Sequence, residues 1–163
     1  MISLREPTPL DWPAIGEVAN QAVDHIPGAP RQAEWLQNRI AFPGWRRHCV
    51  AERESHVVGY GAIERQTLLE HQKRHAADHR LFLVVPWSRP EGIELAQELL
   101  AHLRGDPKLA DIEQVWLREY FDDAPYVDFL LAHGFAISGD YVRDGVRIAM
   151  LTSADWKRNN PNR

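Results

Sequence analysis

A turn that could bind a phosphate group lies in the middle of the chain, in LFLVVPWSRPEGIELAQELL at residues 81–100. Arg89 supplies a positive charge, and Gly92 supplies backbone without a Cβ where an amphipathic helical pattern begins. The unpaired N–H groups and the dipole of a helix start attract anions. Pro90, however, has no N–H group to donate, and Glu94 adds a negative charge. The frame of an anion-binding turn is therefore present, but its chemistry is altered.

Three histidines spaced four residues apart could bind a metal if they lay on one helix. His71, His75 and His79 occur in EHQKRHAADH, where neighbouring pairs would share a helical face. A closed zinc site needs a fourth ligand, for which Glu70 or Asp78 are the nearby residues. We favour a solvated polar connection between two strands, and we predict no bound metal.

The composition of the chain excludes several classes of protein. Its 163 residues fit one domain, and 44% hydrophobic and 26% charged residues are typical of a globular protein. The net charge of -4 gives no general attraction to nucleic acid or to an anionic membrane. No apolar run approaches the ~18 residues of a membrane span. With a single cysteine, Cys49, and no signal-peptide pattern, we predict a cytoplasmic protein.

Hydrophobic periodicity predicts an α/β protein with the element order β-α-α-β-β-β-α-β-α-β-β. The predicted strands start around Ile2 and Leu4 and continue as RHCVAERE, VVGYGAIERQ, Leu81–Val85, IEQVWLREY and the two halves of FAISGDYVRDGVRIAML. The predicted helices follow TPLD, cover residues 30–40, follow the strand at Leu81–Val85, and occupy APYVDFLLAHGF. We place a single domain at residues 1–152 and a polar C-terminal tail at residues 153–163.

Local signals mark several element ends. Thr8, Pro9 and Asp11 predict the start of the first helix, and Pro13 predicts an irregular first turn. Gly134 is a typical left-handed residue at the end of the last helix. The two hairpins are predicted to turn at SH and at RDG.

Three segments, taken in order, resemble the GNAT N-acyltransferase family. CVAERESHVVGYGAIE resembles the central hairpin of the family. LVVPWSRPEGIELAQELL resembles its acyl-CoA motif, in which a strand and Val-Pro precede Arg/Gln-x-x-Gly-x-Gly/Ala, and DDAPYVDFLLAHGF resembles its final helix. The element order extends the resemblance over nearly the whole chain. It implies a mixed, mostly antiparallel central sheet flanked by helices.

The resemblance implies acetyl-CoA, or another acyl-CoA, as co-substrate, with no metal. In the family, backbone N–H groups of the turn hold the pyrophosphate of coenzyme A. Arg89 and Gly92 match the motif, whereas Glu94 stands where the family has Gly or Ala, and Pro90 where Gly is common. The family often has an Asn before its final helix that contacts the cofactor, and Asp123 stands near that position. The residues implied to bind the cofactor are Val84, Val85, Arg89, Pro90, Glu91, Gly92, Ile93, Glu94 and Asp123.

The resemblance also implies a general base for the amine and an acid for the leaving thiolate. The candidate bases are Glu64 on the hairpin strand and Asp78 or His79 before the next strand, although a solvated position is the favoured interpretation of Glu64. Many family members carry a Tyr that protonates the thiolate, directly after the Phe of the last helix. Leu130 stands there in this chain, so Tyr126 and Tyr120 are the candidate substitutes, and simple packing is the favoured interpretation of Tyr126.

The implied reaction is direct attack of an amine on the thioester in a ternary complex. The acceptor would be a small molecule or a peptide, and the segment from about His25 to Trp45 would shape its pocket. The candidate lining residues are His25, Arg31, Trp35 and Trp45. Edge strands of such a sheet could also pair in a homodimer.

Two other functions stay open at this point. In the first, Pro90, Glu94 and Leu130 have weakened coenzyme A binding, and the chain is a non-catalytic GNAT-like module that binds a partner. In the second, the three histidines make a metal-binding protein. Stabilisation by acetyl-CoA or by zinc would distinguish these functions from the acyltransferase.

Overall fold

A seven-stranded sheet organises the computed structural model, which describes residues 1–27, 45–65, 79–153 and 155–156. The strands are β1 Ile2–Arg5, β2 Trp45–Arg53, β3 His56–Arg65, β4 His79–Val84, β5 Val115–Tyr120, β6 Ala136–Arg143 and β7 Val146–Ser153. The described helices are α1 Trp12–Ala22, α2 Pro90–Gly105 and α3 Ala124–Ala132. The strands lie in the order β1-β2-β3-β4-β5-β7-β6.

Neighbouring strands pair antiparallel, except β4 and β5, which are parallel. A parallel pair needs a crossover connection, and α2 supplies it. This mixed, mostly antiparallel sheet confirms the predicted α/β fold class. The second helix, predicted over residues 30–40, lies outside the described residues. Among the helices described, none is long and apolar enough to span a membrane.

The connection from β1 to α1 forms as its residue types predict. The Thr8 N–H donates to the Asp11 carboxylate at 2.6 Å, and Pro9–Asp11 form a 3₁₀ turn. The Arg5 guanidinium contacts the same carboxylate at 2.8 Å and lowers the pKa of Asp11 to about 2. The irregular start predicted from Pro13 is confirmed, because this turn precedes the first regular turn of α1.

The central hairpin turns one residue earlier than predicted. Arg53 pairs with His56, so the turn residues are Glu54 and Ser55. Their φ angles are 51° and 64°, the left-handed values that a type I′ turn requires at both central positions. Neither residue is the Gly or Asn that usually marks such a turn, which is why the sequence pattern placed it one residue late.

Two other chain reversals agree with their sequence signals. Gly134, just after α3, has a φ of 88°, which is the predicted left-handed end of that helix. The last hairpin turns at Asp144 and Gly145, with φ angles of 52° and 78°. The RDG signal therefore located this turn correctly.

Helices cover both faces of the sheet. On one face, Ile15 and Ala19 of α1 join a buried cluster of strand residues, namely Val50, Tyr60, Ala62 and Phe82. On the other face, α2 lies close to β3: a Cβ added at Gly61 would be 3.3 Å from Leu103 Cδ1. The bare backbone of β3 thus lets α2 pack tightly and fixes where its N-terminus lies.

The core extends beyond the predicted domain boundary at residue 152. Ser153 ends β7 and Trp156 is fully buried. The backbone N–H of Trp156 donates to the Glu113 carbonyl at 3.0 Å, and the indole ring meets the Phe135 ring edge-on at a centroid distance of 6.4 Å. One large aromatic residue, with its large apolar area, therefore carries the core past residue 152.

Candidate active site

The sheet opens between β4 and β5, and the candidate site lies at this opening. In the described chain the two strands are joined at one residue pair, Arg80 and Trp116. Helix α2 follows β4, and helix α3 follows β5. Because adjacent parallel strands end at the same edge of a sheet, both helix N-termini lie near the opening. The positive ends of two helix dipoles favour an anion there.

The predicted phosphate-binding turn closes on itself. The Arg89 N–H donates to the Pro86 carbonyl at 3.0 Å, and the Gly92 N–H donates to the Arg89 carbonyl at 3.0 Å. Pro90 has no N–H group. A Cβ at Gly92 would lie 2.1 Å from the Pro86 oxygen, so glycine is required for this close approach. In this conformation residues 89, 90 and 92 offer no free amide to a phosphate.

The charged side chains of the turn face other parts of the protein. The Arg89 guanidinium lies 3.7 Å from the Asp24 carboxylate, to which the Ser88 hydroxyl also donates at 3.4 Å. Glu94 is largely exposed and points toward Arg53, with the closest N–O distance 3.8 Å. The negative charge expected at Glu94 is therefore partly neutralised by the central hairpin.

The other residues implied to bind the cofactor differ in exposure. Val85 is fully buried, Val84 and Ile93 are half-buried against the core, and Glu91 is exposed in the first turn of α2. The valines therefore hold the end of β4 in place, while Glu91 faces solvent.

Asp123 and His25, two predicted site residues from distant parts of the sequence, are in contact. Asp123 caps α3 by accepting from the Tyr126 N–H at 3.4 Å, and its Oδ1 lies 2.9 Å from His25 Nε2. Burial raises the pKa of Asp123, and the bond with His25 opposes this rise. The second carboxylate oxygen, Oδ2, is buried and has no partner within the described chain. This oxygen can still accept a hydrogen bond or hold a proton.

Glu119, at the end of β5, is the titratable residue that the sequence analysis missed. Burial and the nearby charge of Asp123 raise the pKa of Glu119 to about 8. The Tyr120 N–H, which donates to Glu119 Oε1 at 3.0 Å, and the charge of Arg80 oppose this rise. Part of the Glu119 residue remains accessible to solvent, although protein atoms densely surround its carboxyl group. Such a group can exchange protons near neutral pH.

The strand pattern held a signal for Glu119. Side chains alternate across a strand, so Val115, Leu117 and Glu119 share one face of β5. Val115 and Leu117 are buried. A carboxylate on the same face as two core residues, at the carboxyl end of a parallel strand, is a candidate for a functional acid or base.

Two stacked aromatic rings bring the loop before the turn into contact with α3. Trp87 stacks on Tyr126 with 3.8 Å between ring centroids and 16° between planes. Trp87 is 2% exposed and Tyr126 is 4% exposed. The Phe129 ring, also on α3, lies 5.4 Å from the Trp87 ring and is tilted by 56° to it. Burial and the charge of Glu119 raise the pKa of Tyr126 well above its ordinary value. This agrees with the packing role favoured for Tyr126.

The remaining candidate residues lie away from Glu119 and Asp123. Glu64 is 2% exposed, so the expectation of a solvated strand residue is wrong. It shares the face of β3 with Tyr60 and Ala62, which pack with α1. Tyr120 points to the opposite face of β5 from Glu119 by the same alternation. Leu130 is fully buried in the core.

Several predicted residues lie outside the described residues. These are Arg31, Trp35, Glu70, His71, His75, Asp78 and the side chain of Trp45, whose backbone begins β2. His79 is buried on β4. In the part of the chain that is described, no three His, Cys, Asp or Glu side chains are arranged to hold a metal ion.

Comparison with known proteins identifies structures but no sequence relative. No family model and no curated protein matches the chain. A GNAT-family acetyltransferase from Streptococcus agalactiae matches with a TM-score of 0.68 at 13% identity, covering 94% of this chain and 95% of that one. The ribosomal-protein-alanine N-acetyltransferase of Brucella melitensis matches with a TM-score of 0.67 at 22% identity, covering 93% and 99%. The yncA protein of Salmonella typhimurium, solved with its cofactor acetyl-CoA, matches at 0.66 and 17%, covering 94% of each chain.

Proposed function

We propose that this chain, which has the fold of the GNAT acetyltransferases, transfers an acyl group from coenzyme A to an amine. Acetyl is the acyl group named for the structurally similar proteins, and the amine would belong to a small molecule or a peptide. The observation that carries the proposal is the position of Glu119. Its carboxyl group lies beside Asp123 at the sheet opening, which the phosphate-binding turn borders. An anion site and a proton acceptor at one opening are what acyl transfer from coenzyme A requires.

The proposed reaction is direct attack in a ternary complex. The amine nitrogen bonds to the thioester carbon, the carbon–sulfur bond breaks, and the thiolate takes a proton from solvent. The proton lost by the amine goes to the Glu119 carboxylate. A base with a pKa near the working pH serves this step well, because it is basic enough to take the proton and a usable fraction of it is already deprotonated. Asp123 supports it by raising the Glu119 pKa, and His25 holds Asp123 in place.

The charge and position of the turn suit the phosphates of coenzyme A, but its Arg89 and Gly92 backbone amides are already hydrogen-bonded within the protein. Arg89 supplies a guanidinium, and the start of α2 supplies the dipole. The internal bonds of the Arg89 and Gly92 amides have to rearrange, or the pyrophosphate has to rely on Arg89 and on the dipole. Coenzyme A binding is therefore expected to be weaker than a turn with free amides would give.

The first test is a thermal shift titration with acetyl-CoA. A ligand at 100 times its dissociation constant stabilises the folded state by ~2.7 kcal/mol, so a saturable rise in Tm is expected. Transfer is then measured as amine-dependent release of free thiol over an amine panel. Cys49 does not interfere, because it is 2% exposed and burial raises its pKa to about 12.

The outcomes separate the proposal from its alternative. Saturable binding with thiol release on at least one amine is the expected result. Absence of any Tm shift at millimolar acetyl-CoA would contradict the proposal and leave the partner-binding module as the better description.

A further inference from the structure

The stacked pair Trp87–Tyr126 occupies a position that the proposed reaction has to use. Trp87 is two residues before Arg89 and belongs to the loop that leads into the phosphate-binding turn. Tyr126 lies on α3, and its backbone N–H is bonded to Asp123. Its hydroxyl group accepts a hydrogen bond from the Leu83 N–H and is affected by the charges of both Glu119 and Asp123. The stack therefore connects the anion end of the site to its acid–base end.

Coenzyme A has to connect the same two ends. Its pyrophosphate belongs at the turn, and its thioester has to reach the amine near Glu119. The pantetheine arm between them must cross the space that the two rings fill. Because Trp87 and Tyr126 are almost fully buried and stacked face to face, no arm can pass between them as they stand.

Side-chain rotation is the simplest way to open this path. The backbone of Pro86, next to Trp87, is held against Gly92 by the close approach of loop and helix. The Arg89 amide is also bonded to the Pro86 carbonyl. The loop therefore has little freedom to carry Trp87 away, and the rings have to turn out of the stack.

We propose that the Trp87–Tyr126 stack closes the path of the coenzyme A arm, so that the ring at residue 126 sets the affinity for this co-substrate. The inference rests on the proposed function and adds a closed state of the site, in which the stacked rings block the coenzyme A arm. When the binding-competent state is a minor population, the apparent dissociation constant rises by the reciprocal of that population. Removing the ring should remove this penalty.

The experiment measures dissociation constants by calorimetry for two ligands. Coenzyme A carries the pantetheine arm, and 3′-phosphoadenosine 5′-diphosphate carries the phosphates without the arm. In Tyr126→Leu the dissociation constant for coenzyme A should fall about tenfold, because a stacked aromatic pair no longer has to separate. The constant for the armless ligand should stay within about twofold, because it does not reach the rings.

Two variants control for effects on the fold. Tyr126→Phe keeps the stacked ring and removes only the hydroxyl group that accepts from the Leu83 N–H, so its dissociation constant for coenzyme A should stay clearly above that of Tyr126→Leu. Phe135→Leu replaces a buried ring elsewhere in the core, beside Trp156, and should leave the dissociation constant for coenzyme A unchanged. If Tyr126→Leu fails to fold, Trp87→Leu opens the same stack from the other side and should give the same tightening.

The results distinguish this inference from the proposed function. Equal coenzyme A affinity in Tyr126→Leu and Tyr126→Phe would overturn the closed stack, while thiol release could still establish the transferase. A parallel change for both ligands would also overturn it, because the effect would then lie in the turn. Tighter binding in Tyr126→Leu without acyl transfer by any variant would support the stack and contradict the transferase.

Discussion

At the scale of single residues, the site depends on how its surroundings change Glu119. An ordinary glutamate is fully ionised at neutral pH and is a weak base. Burial and the charge of Asp123 bring the Glu119 pKa to about 8, where the carboxylate can hold and release a proton during turnover. Arg80 limits the rise, so the value reflects a balance between enclosure and nearby charges.

Replacing this carboxyl group should remove general base catalysis. In Glu119→Gln, kcat/KM should fall by about 10²–10⁴-fold, because the amide cannot accept a proton. The unmodified enzyme should gain rate as the pH rises through about 8, and the variant should lose this dependence. Glu113→Gln changes an exposed carboxylate just before β5 and should keep the normal pH–rate profile. Unchanged kcat/KM in Glu119→Gln would assign the base elsewhere.

Stability measurements on the same variant report the pKa directly. The Glu119 pKa rises from 4.5 to about 8 on folding, so between these values the folded protein keeps a proton that the unfolded chain releases. The free energy of unfolding from this group is complete below pH 4.5 and is lost as the pH rises through about 8. The difference in unfolding free energy between the normal protein and Glu119→Gln should fall by about 2–4 kcal/mol across this range. A flat difference, measured by urea denaturation, would contradict the raised pKa.

The sequence predicts some site residues and not others for a physical reason. Arg89 and Gly92 are identified by local spacing, because a turn and its helix are built from neighbouring residues. Glu119 becomes enclosed only through the tertiary placement of Asp123 and Arg80. Likewise the Trp87–Tyr126 contact joins residues that are far apart in the chain. Local patterns cannot give pKa values or contacts of this kind.

At the scale of elements, the start of α2 is fixed by one glycine contact. A Cβ at Gly92 would meet the Pro86 carbonyl oxygen at 2.1 Å and its carbon at 2.7 Å. Both atoms belong to the backbone, so no flexible side chain can yield. The helix can pack against its own leading loop only because this position carries no side chain.

Gly92→Ala should therefore destabilise the protein by about 1–3 kcal/mol, the usual cost of overpacking. This cost should exceed the ~1 kcal/mol by which Ala is the better helix former. The measurement is the urea midpoint at constant m-value. Gly139→Ala is the matched control, because a Cβ there would meet nothing within 4 Å. If both variants were equally stable, the tight contact between loop and helix would be excluded.

Element types follow from the sequence more reliably than element ends. The period of Ala96, Leu99 and Leu103 predicts α2, and the apolar run before it predicts β4, since both patterns are local. The sequence predicts the first hairpin turn one residue beyond Glu54 and Ser55, because two non-glycine residues adopt left-handed angles there. The helix between β4 and β5 predicts that these strands are parallel. That they pair at only one described position, Arg80 and Trp116, depends on the arrangement of the whole sheet and is not visible in a local pattern.

At the scale of the whole molecule, the core is completed by a residue after the last strand. Trp156 packs beside Phe135, and the Arg104 guanidinium lies 4.9 Å from its ring centroid. Arg104 is itself buried, and this burial lowers its pKa to about 10. The indole therefore covers a buried charge as well as apolar surface, and Trp156, three residues after β7, belongs to the fold.

Trp156→Ala should consequently cost about 3–5 kcal/mol of unfolding free energy, the range for removing a large buried aromatic side chain. Trp156→Phe keeps a ring against Phe135 and near Arg104, so it should cost clearly less. Urea denaturation of both variants measures the two values. The loss of unfolding free energy should be larger in Trp156→Ala than in Trp156→Phe. If the domain ended at residue 152, neither change would alter the unfolding free energy. If Trp156→Ala proved as stable as the unmodified protein, the core would close without this segment and the earlier boundary would be correct.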